Sequence, residues 1–256
     1  NMVAFGYLNN LLLPGDEILI GEMEHHANIV PWQAIASKMK FKINVINCCK
    51  DGKIKIDDLQ KKLNSNVKLL AIQHVSNITG HENNIKEICS IAHAENIKVF
   101  VDGAQAVSHK KIDVQDLDCD FYTFSGHKCY GPTGVGVLYG KKSCLIKMDP
   151  FMYGGNMINE VSFENSSWGE IPHKFEAGTA NIAGVIGLGE SIKYISSVGL
   201  KNIQEREALL IKKMWHHLRS IDEVIMYTNT MPTAPIFSFN LKNIHSYDAG
   251  SLLDEM

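Results

Sequence analysis

Short apolar runs alternate with amphipathic stretches over the first 140 or so residues of the chain. The period-2 and continuously apolar runs predict strands, which are Glu17–Ile20, Lys42–Ile46, Val67–Val75, Lys98–Val101, Asp120–Phe124 and Gly134–Tyr139. The amphipathic stretches predict helices over Ile29–Met39, Asp57–Leu63 and Ile85–Glu95. Asn28 and Asp57 are the candidate N-caps of the first two helices. Strands separated by helices indicate an α/β fold with a doubly wound, mostly parallel sheet.

The pattern changes at about residue 181. Two helices, two short strands and a further helix are predicted, over Ile182–Ser197, Leu200–Ile221, Val224–Tyr227, Ile236–Asn240 and Tyr247–Met256. We therefore expect a large α/β domain over residues 1–195 and the start of a smaller α+β domain over residues 196–256. Both ends of the chain fall inside predicted helices, whereas domains usually end in exposed linkers. This predicts a fragment of a longer protein that lacks both ends.

Composition narrows the function classes. The chain is 45% hydrophobic and 21% charged with a net charge of -3, which is typical of a globular protein and predicts neither a nucleic-acid nor a membrane-surface partner. No apolar run is long enough to span a bilayer. The six cysteines form no C-x-x-C pair, which argues against a zinc or redox motif. Free thiols fit a reducing compartment, so a cytoplasmic protein is expected, or one of a plastid or organelle stroma.

Two residues near the ends of predicted strands suit the chemistry of pyridoxal phosphate (PLP). Asp102 ends one apolar strand, and Lys128 lies in a glycine-bracketed segment after the next strand. A lysine amine forms a Schiff base with the PLP aldehyde, and a carboxylate keeps the pyridine nitrogen protonated so that the ring accepts electrons. The alternatives are a surface lysine in a turn and an aspartate that caps a helix. The pair, with Gln105 nearby to donate to the phenolic oxygen, favours the cofactor.

The segment Glu24–Asn28 contains two adjacent histidines and a glutamate. A metal site is not expected there, because adjacent side chains point apart and no third ligand follows at metal spacing. The flat imidazole of His25 suits stacking on a pyridine ring instead. In doubly wound sheets ligands bind beyond the carboxyl ends of the strands, which is where Asp102, His74 to Asn77 and Ser125 to Lys128 fall.

Other polar residues complete the candidate site. Ser125, His127 and Thr179 offer hydroxyl and imidazole groups suited to a phosphate. Asn77 and His74, at the end of the third predicted strand, are candidates to face the same crevice. For His74, a core position satisfied by the backbone is equally open.

Four segments together resemble the SUF-type (group II) cysteine desulfurases, PLP-dependent enzymes with the class V aminotransferase fold. These segments are Met23–Trp32, Val101–Ala106, Ser125–Pro132 and Phe175–Thr179. The likeness runs over nearly the whole chain, and the last segment resembles the group II form rather than the group I form. The resemblance implies a PLP-dependent transferase fold (fold type I).

The resemblance also implies roles. Lys128 would be the Schiff-base lysine, Asp102 the pyridinium partner, and His25 a stacking and proton-transfer residue. Thr179 would reach the phosphate of a neighbouring subunit in a homodimer, and Asn77 would lie near the substrate. The remaining cofactor contacts would come from Gln105, Ser125 and His127. Such an enzyme converts L-cysteine to L-alanine and passes the sulfur, as an enzyme persulfide, to a SUF-type acceptor protein for Fe–S cluster assembly.

The sequence departs from this family at three places. The Arg-x-Gly-His-His-Cys stretch with the persulfide cysteine, the carboxylate-binding arginine and the Gly-Thr-Thr phosphate loop do not occur in it. None of the six cysteines, including Cys129 beside Lys128, is expected to replace the persulfide cysteine. Two alternatives therefore stay open. One is a truncated PLP-binding or dimerisation module without activity, and the other is a selenocysteine lyase-type enzyme that acts on L-selenocysteine.

Overall fold

The computed structural model describes residues 1–256 and is built on one six-stranded sheet. Its strands are β1 (Glu17–Gly21), β2 (Lys42–Ile46), β3 (Val67–Gln73), β4 (Lys98–Asp102), β5 (Phe121–Ser125) and β6 (Gly136–Gly140). Their order is β2-β1-β3-β4-β5-β6. The first five are parallel, and β6 pairs antiparallel with β5 at the edge. The predicted α/β class with a mostly parallel sheet is confirmed.

Helices cover both faces of this sheet. They are α1 (Val30–Met39), α2 (Ile56–Lys62), α3 (Ile85–Ala94), α4 (Val114–Leu117), α5 (Lys142–Leu145), α6 (Ile182–Val198), α7 (Leu200–Arg219) and α8 (Ser246–Glu255), with a π-helix at Val3–Tyr7. The short helices α4 and α5 were not predicted. No helix combines the length and the apolar character that crossing a membrane requires.

The central strands are buried on both faces, and successive residues enter different cores. In β3, Leu69 and Ala71 belong to one core, and Leu70 and Ile72 belong to the other. This alternation follows from the period-2 geometry of a strand. Burial on both faces explains why residues 69–72 of β3 are apolar at every position rather than at every second position.

Two predicted helix caps are wrong. Asn28 does not cap α1, because its side chain is already engaged with Glu24 and with the indole of Trp32. Asp57 lies inside the first turn of α2, and the N-cap is Lys55, whose side chain makes no capping bond. Asp57 still lies at the positive end of the helix dipole, where a carboxylate is favourable.

Beyond β6 the chain forms two separate antiparallel pairs. The hairpin β7 (Ile158–Val161) with β8 (Ser166–Trp168) was not predicted. In the pair β9 (Val224–Met226) with β10 (Phe239–Leu241), β9 ends one residue before the predicted strand, and β10 begins three residues later and ends one residue later than predicted. Helix α6 extends through the expected domain boundary at residue 195, so the division into two domains stays a prediction.

Candidate active site

The carboxyl ends of four neighbouring strands, β1, β3, β4 and β5, open onto one cavity of about 470 Å³. Seven of the eight residues predicted to form the site line this cavity: His25, Asn77, Asp102, Gln105, Ser125, His127 and Lys128. They come from four segments that lie far apart in sequence. Parallel pairing brings these segments together, because it places equivalent strand ends on the same edge of the sheet.

Thr179 is the predicted residue that the structure does not bring into the cavity. It is exposed and follows Gly178, whose φ of 76° lies in the left-handed region that glycine tolerates. The Gly178 N–H donates to the carbonyl of Gly155 at 2.9 Å, and Asn156 donates to the Gly178 carbonyl at 3.2 Å. Thr179 is therefore held on the surface by a neighbouring loop.

Asp102 and Lys128 sit at the ends of adjacent strands. The Asp102 carboxylate accepts the N–H of Ala104 at 2.9 Å, which orients it at the start of the turn after β4. Lys128 ends the 3-10 turn Gly126–Lys128, is half-buried and forms no ion pair. A Cβ at Gly126 would lie 2.9 Å from Cγ1 of Val135, so this turn needs glycine.

His25 follows the end of β1 and is fixed by a backbone contact. Its Nδ1 accepts the N–H of Ala27 at 3.1 Å, which caps the 3-10 turn His26–Asn28. Because Nδ1 is the acceptor, a neutral imidazole carries its proton on Nε2. His26 is exposed and absent from the cavity wall. No group of three His, Cys, Asp or Glu side chains comes together in a metal-binding arrangement.

Asn77 provides a test of what the cavity accepts. Its Oδ1 is the single buried side-chain nitrogen or oxygen atom without a hydrogen-bond partner. A buried acceptor left unpaired is costly, which indicates a donor supplied by a ligand. The same cavity presents the Asp102 carboxylate, the Lys128 amine, the hydroxyls of Thr123 and Ser125 and two imidazoles. This donor set fits PLP, which carries a pyridine nitrogen, an aldehyde, a phenolic oxygen and a phosphate.

The sequence interpretation missed the role of Glu24, which it considered only as a metal ligand. Glu24 is buried, and its carboxyl group accepts from Asn28 Nδ2 at 2.7 Å and from the N–H of Gln73 at 2.9 Å. Burial raises the pKa of Glu24 to about 8, and the charge of Asp102 adds to the shift. Glu24 thus ties the His25 loop to the end of β3. The one available signal was its position directly before His25.

His74 does not face the cavity. It lies on the opposite side of the sheet, 2% exposed, with Nδ1 2.9 Å from the hydroxyl of Tyr122. Its ring is therefore satisfied by a side chain and not by the backbone. Cys129 is buried as a packing thiol against the carbonyl of Gly126, and burial raises its pKa.

Comparison with known proteins agrees with this architecture. The model of the aminotransferase class-V family matches residues 1–256. A cysteine desulfurase of Wigglesworthia glossinidia brevipalpis is 48% identical over 100% of this chain and 62% of its own length. One from Escherichia coli (strain K12 / DH10B) is 46% identical over 99% of the chain and 63% of its own length. The chain thus spans less than two thirds of these curated relatives.

Two solved structures are similar over 99% of the chain. The cysteine desulfurase CsdA from Escherichia coli superposes with a TM-score of 0.94 at 36% identity, and 63% of its chain is covered. A mutant of C-DES with glycine covalently linked to its PLP cofactor superposes with a TM-score of 0.86 at 25% identity, and 68% is covered. A fold of type I is confirmed by these superpositions. With its full length matched by the family model, the chain belongs to the aminotransferase class-V family.

Proposed function

We propose that this protein is a PLP-dependent cysteine desulfurase that converts L-cysteine to L-alanine and passes the sulfur on as a persulfide. The observation that carries the proposal is the convergence of Lys128, Asp102 and the unpaired Asn77 oxygen on one cavity. The resemblance of the chain to enzymes named cysteine desulfurase at 46–48% identity supports the choice of reaction.

Seven side chains would hold the cofactor. Lys128 would bind it covalently, and Asp102 would pair with the pyridine nitrogen. The others would contact the ring, the phenolic oxygen and the phosphate: His25, Asn77, Gln105, Ser125 and His127. When bound, PLP supplies an electron sink for the carbon atoms of an amino-acid substrate.

The protein groups contribute charge and protons at defined atoms. The Asp102 carboxylate, oriented by the N–H of Ala104, stabilises a proton on a facing heterocyclic nitrogen. His25 presents Nε2 as its free nitrogen, since Nδ1 is occupied by the backbone. Lys128 has no anionic partner of its own, which leaves Nζ available for the cofactor and for proton transfer.

The finer assignment to the SUF type is also a proposal. It rests on the segment Phe175–Thr179, which resembles the group II form. The exposed position of Thr179, outside the cavity of its own chain, supports a role at the phosphate of a second subunit in a homodimer. A SUF-type sulfur acceptor for Fe–S cluster assembly is the partner that this assignment implies.

Covalent trapping tests the cofactor assignment. The protein is incubated with PLP, reduced with borohydride and digested, and the modified peptide is identified by mass spectrometry. We expect the modification at Lys128 and its loss in Lys128→Ala. Lys147→Ala, at an exposed lysine outside the cavity, should leave it unchanged. Modification spread over several lysines, with none favoured, would refute the cofactor site.

Product analysis tests the reaction. L-alanine release is measured with L-cysteine and with L-selenocysteine as substrates. Release from L-cysteine is the expected result, with the sulfur recovered as a persulfide on a small thiol added to the assay, because none of the six cysteines is expected to accept it. If PLP attached specifically to Lys128 but L-alanine were released from L-selenocysteine alone, the cofactor site would stand. The proposed substrate would then be L-selenocysteine and not L-cysteine.

A further inference from the structure

A second group of polar side chains lies behind the cavity, on the opposite face of the sheet. We call it the His74 chain, and it consists of Lys110, Glu82, His74 and Tyr122. Lys110 pairs with the carboxylate of Glu82, which is 3.5 Å from Nε2 of His74. Nδ1 of His74 is 2.9 Å from the hydroxyl of Tyr122. His74 and Tyr122 are each 2% exposed.

The chain has a defined hydrogen-bond direction. The contact with His74, followed by the pairing with Lys110, lowers the pKa of Glu82 to about 2, so the carboxylate is an acceptor only. Nε2 of His74 therefore carries a proton toward Glu82. In the neutral ring Nδ1 then accepts the hydroxyl proton of Tyr122.

The backbone at His74 and next to Tyr122 holds the peptide that joins Asp102 to Gly103. The N–H of His74 donates to the Asp102 carbonyl at 2.8 Å, and the N–H of Gly103 donates to Thr123 at 2.8 Å. The Tyr122 ring fills the space above Gly103, because a Cβ placed there would lie 2.1 Å from its Cε1. The peptide that carries the active-site carboxylate is thus clamped from the rear.

Polar groups at this position need an explanation. Tyr122 packs in an apolar core with residues such as Val99, Val101 and Ile72, whereas His74 also borders a polar cavity on its outer side. Burial of a polar pair in such a core costs free energy, and an apolar pair of the same shape would pack as well. The pair occurs directly behind the turn that presents Asp102. A buried, directional bond fixes a single arrangement there, which apolar packing does not.

We propose that His74 and Tyr122 are positioning residues for Asp102, which set the orientation of its carboxylate toward the pyridine nitrogen of bound PLP. This inference rests on the proposed function. In this role neither His74 nor Tyr122 touches the cofactor, and both act through the turn Asp102–Ala104. Loss of either partner would loosen that turn and weaken the pairing of Asp102 with the ring.

The test compares Tyr122→Phe and His74→Gln with Asp102→Asn as a reference. Two quantities are measured, which are the visible absorbance spectrum of bound PLP and its dissociation constant. We expect both variants to shift the spectrum in the direction that Asp102→Asn shifts it. The dissociation constant should rise about five- to tenfold, the change expected for one lost buried hydrogen bond. The double variant should match the single variants, because the two residues act as one unit.

Tyr7→Phe and His81→Gln are matched controls. Both residues are buried, 4% and 2% exposed, and neither lines the cavity or joins the His74 chain. His81 is instead bonded to Thr79 and Thr230. Both controls should keep the wild-type spectrum even where they lower the melting temperature. Glu82→Gln, at the half-exposed outer end, provides a milder variant that should shift the spectrum in the same direction if His74→Gln fails to fold.

The outcomes separate the two proposals. A lowered melting temperature with a wild-type spectrum and dissociation constant in Tyr122→Phe and Glu82→Gln would overturn the positioning role and leave the proposed function intact. Failure of the wild-type protein to bind PLP at all would overturn the proposed function, and the inference with it.

Discussion

A methyl group at position 103 tests how tightly the turn after β4 is built. Gly103 lies outside the left-handed region of φ, so alanine is compatible with its backbone. The added Cβ of Gly103→Ala would nevertheless lie 2.1–2.3 Å from three atoms of the Tyr122 side chain, two of the ring and the hydroxyl oxygen. Carbon atoms prefer about 3.5 Å, so the overlap is about 1.4 Å.

This overlap has no easy relief. The Tyr122 ring is buried between the sheet and a helical layer, and its hydroxyl is held by His74. Overpacking in such a core costs about 1–3 kcal/mol, and we expect the upper end here because the ring cannot swing toward solvent. For a chain of this size about 3 kcal/mol corresponds to a melting temperature lower by roughly 6–12 °C. PLP binding should also weaken, since Asp102 is the preceding residue.

Thermal unfolding followed by circular dichroism gives the melting temperature, and a titration with PLP gives its dissociation constant. Gly189→Ala is the matched control, because nothing lies within 4 Å of its added Cβ and it sits inside α6. That change should be neutral or stabilising by up to about 1 kcal/mol. If Gly103→Ala melted within about 1 °C of the wild type and bound PLP equally well, the clamped turn would be refuted.

Two further predictions concern single interactions. Because burial raises the pKa of Glu24 from 4.5 to about 8, the folded state binds more protons than the unfolded state between these values. The free energy of unfolding should fall as the pH rises through this range, and Glu24→Gln should flatten that dependence in urea titrations; an unchanged slope would contradict it. Asn84→Ala removes the side-chain cap of α3 and should cost about 1 kcal/mol in the same assay. A change below about 0.3 kcal/mol would show that the cap is dispensable.

The sheet and its cavity followed from sequence because their signals are local. Each predicted strand lies within a few residues of its observed position, and polar residues at strand ends identify the rim of a parallel sheet. Asp102, Ser125 and Lys128 carry this signal directly, since each ends or follows an apolar strand. Their roles as cofactor contacts stay predictions.

Side-chain direction is what the pattern did not contain. His74 follows a run that is apolar on both faces. Without an alternation of polar and apolar residues, the sequence does not show on which face of the sheet the His74 side chain lies. The same limit applies to Glu24, whose partners Asn28 and Gln73 N–H come from two different strand ends. Asn28 looked like a helix cap because its local context suits one. Its side chain instead donates to Glu24, four residues earlier in the chain.

Thr179 shows a different limit. Its hydroxyl suits a phosphate, but chemical type does not report distance, and the residue lies outside the cavity of its own chain. The hairpin of β7 and β8 was missed because its strands are short and exposed. Such strands lack the apolar alternation on which strand prediction depends.

The separation of the contributing strand ends has a kinetic consequence. His25 and Lys128 are about a hundred residues apart, and the strands that carry them are joined only through the two strands between them in the sheet. No subset of neighbouring segments can form the pocket, so its assembly must await nearly complete pairing of the parallel strands, a slow class of event. Capture of PLP should therefore be among the last steps of folding, which makes the cofactor a reporter of the finished sheet.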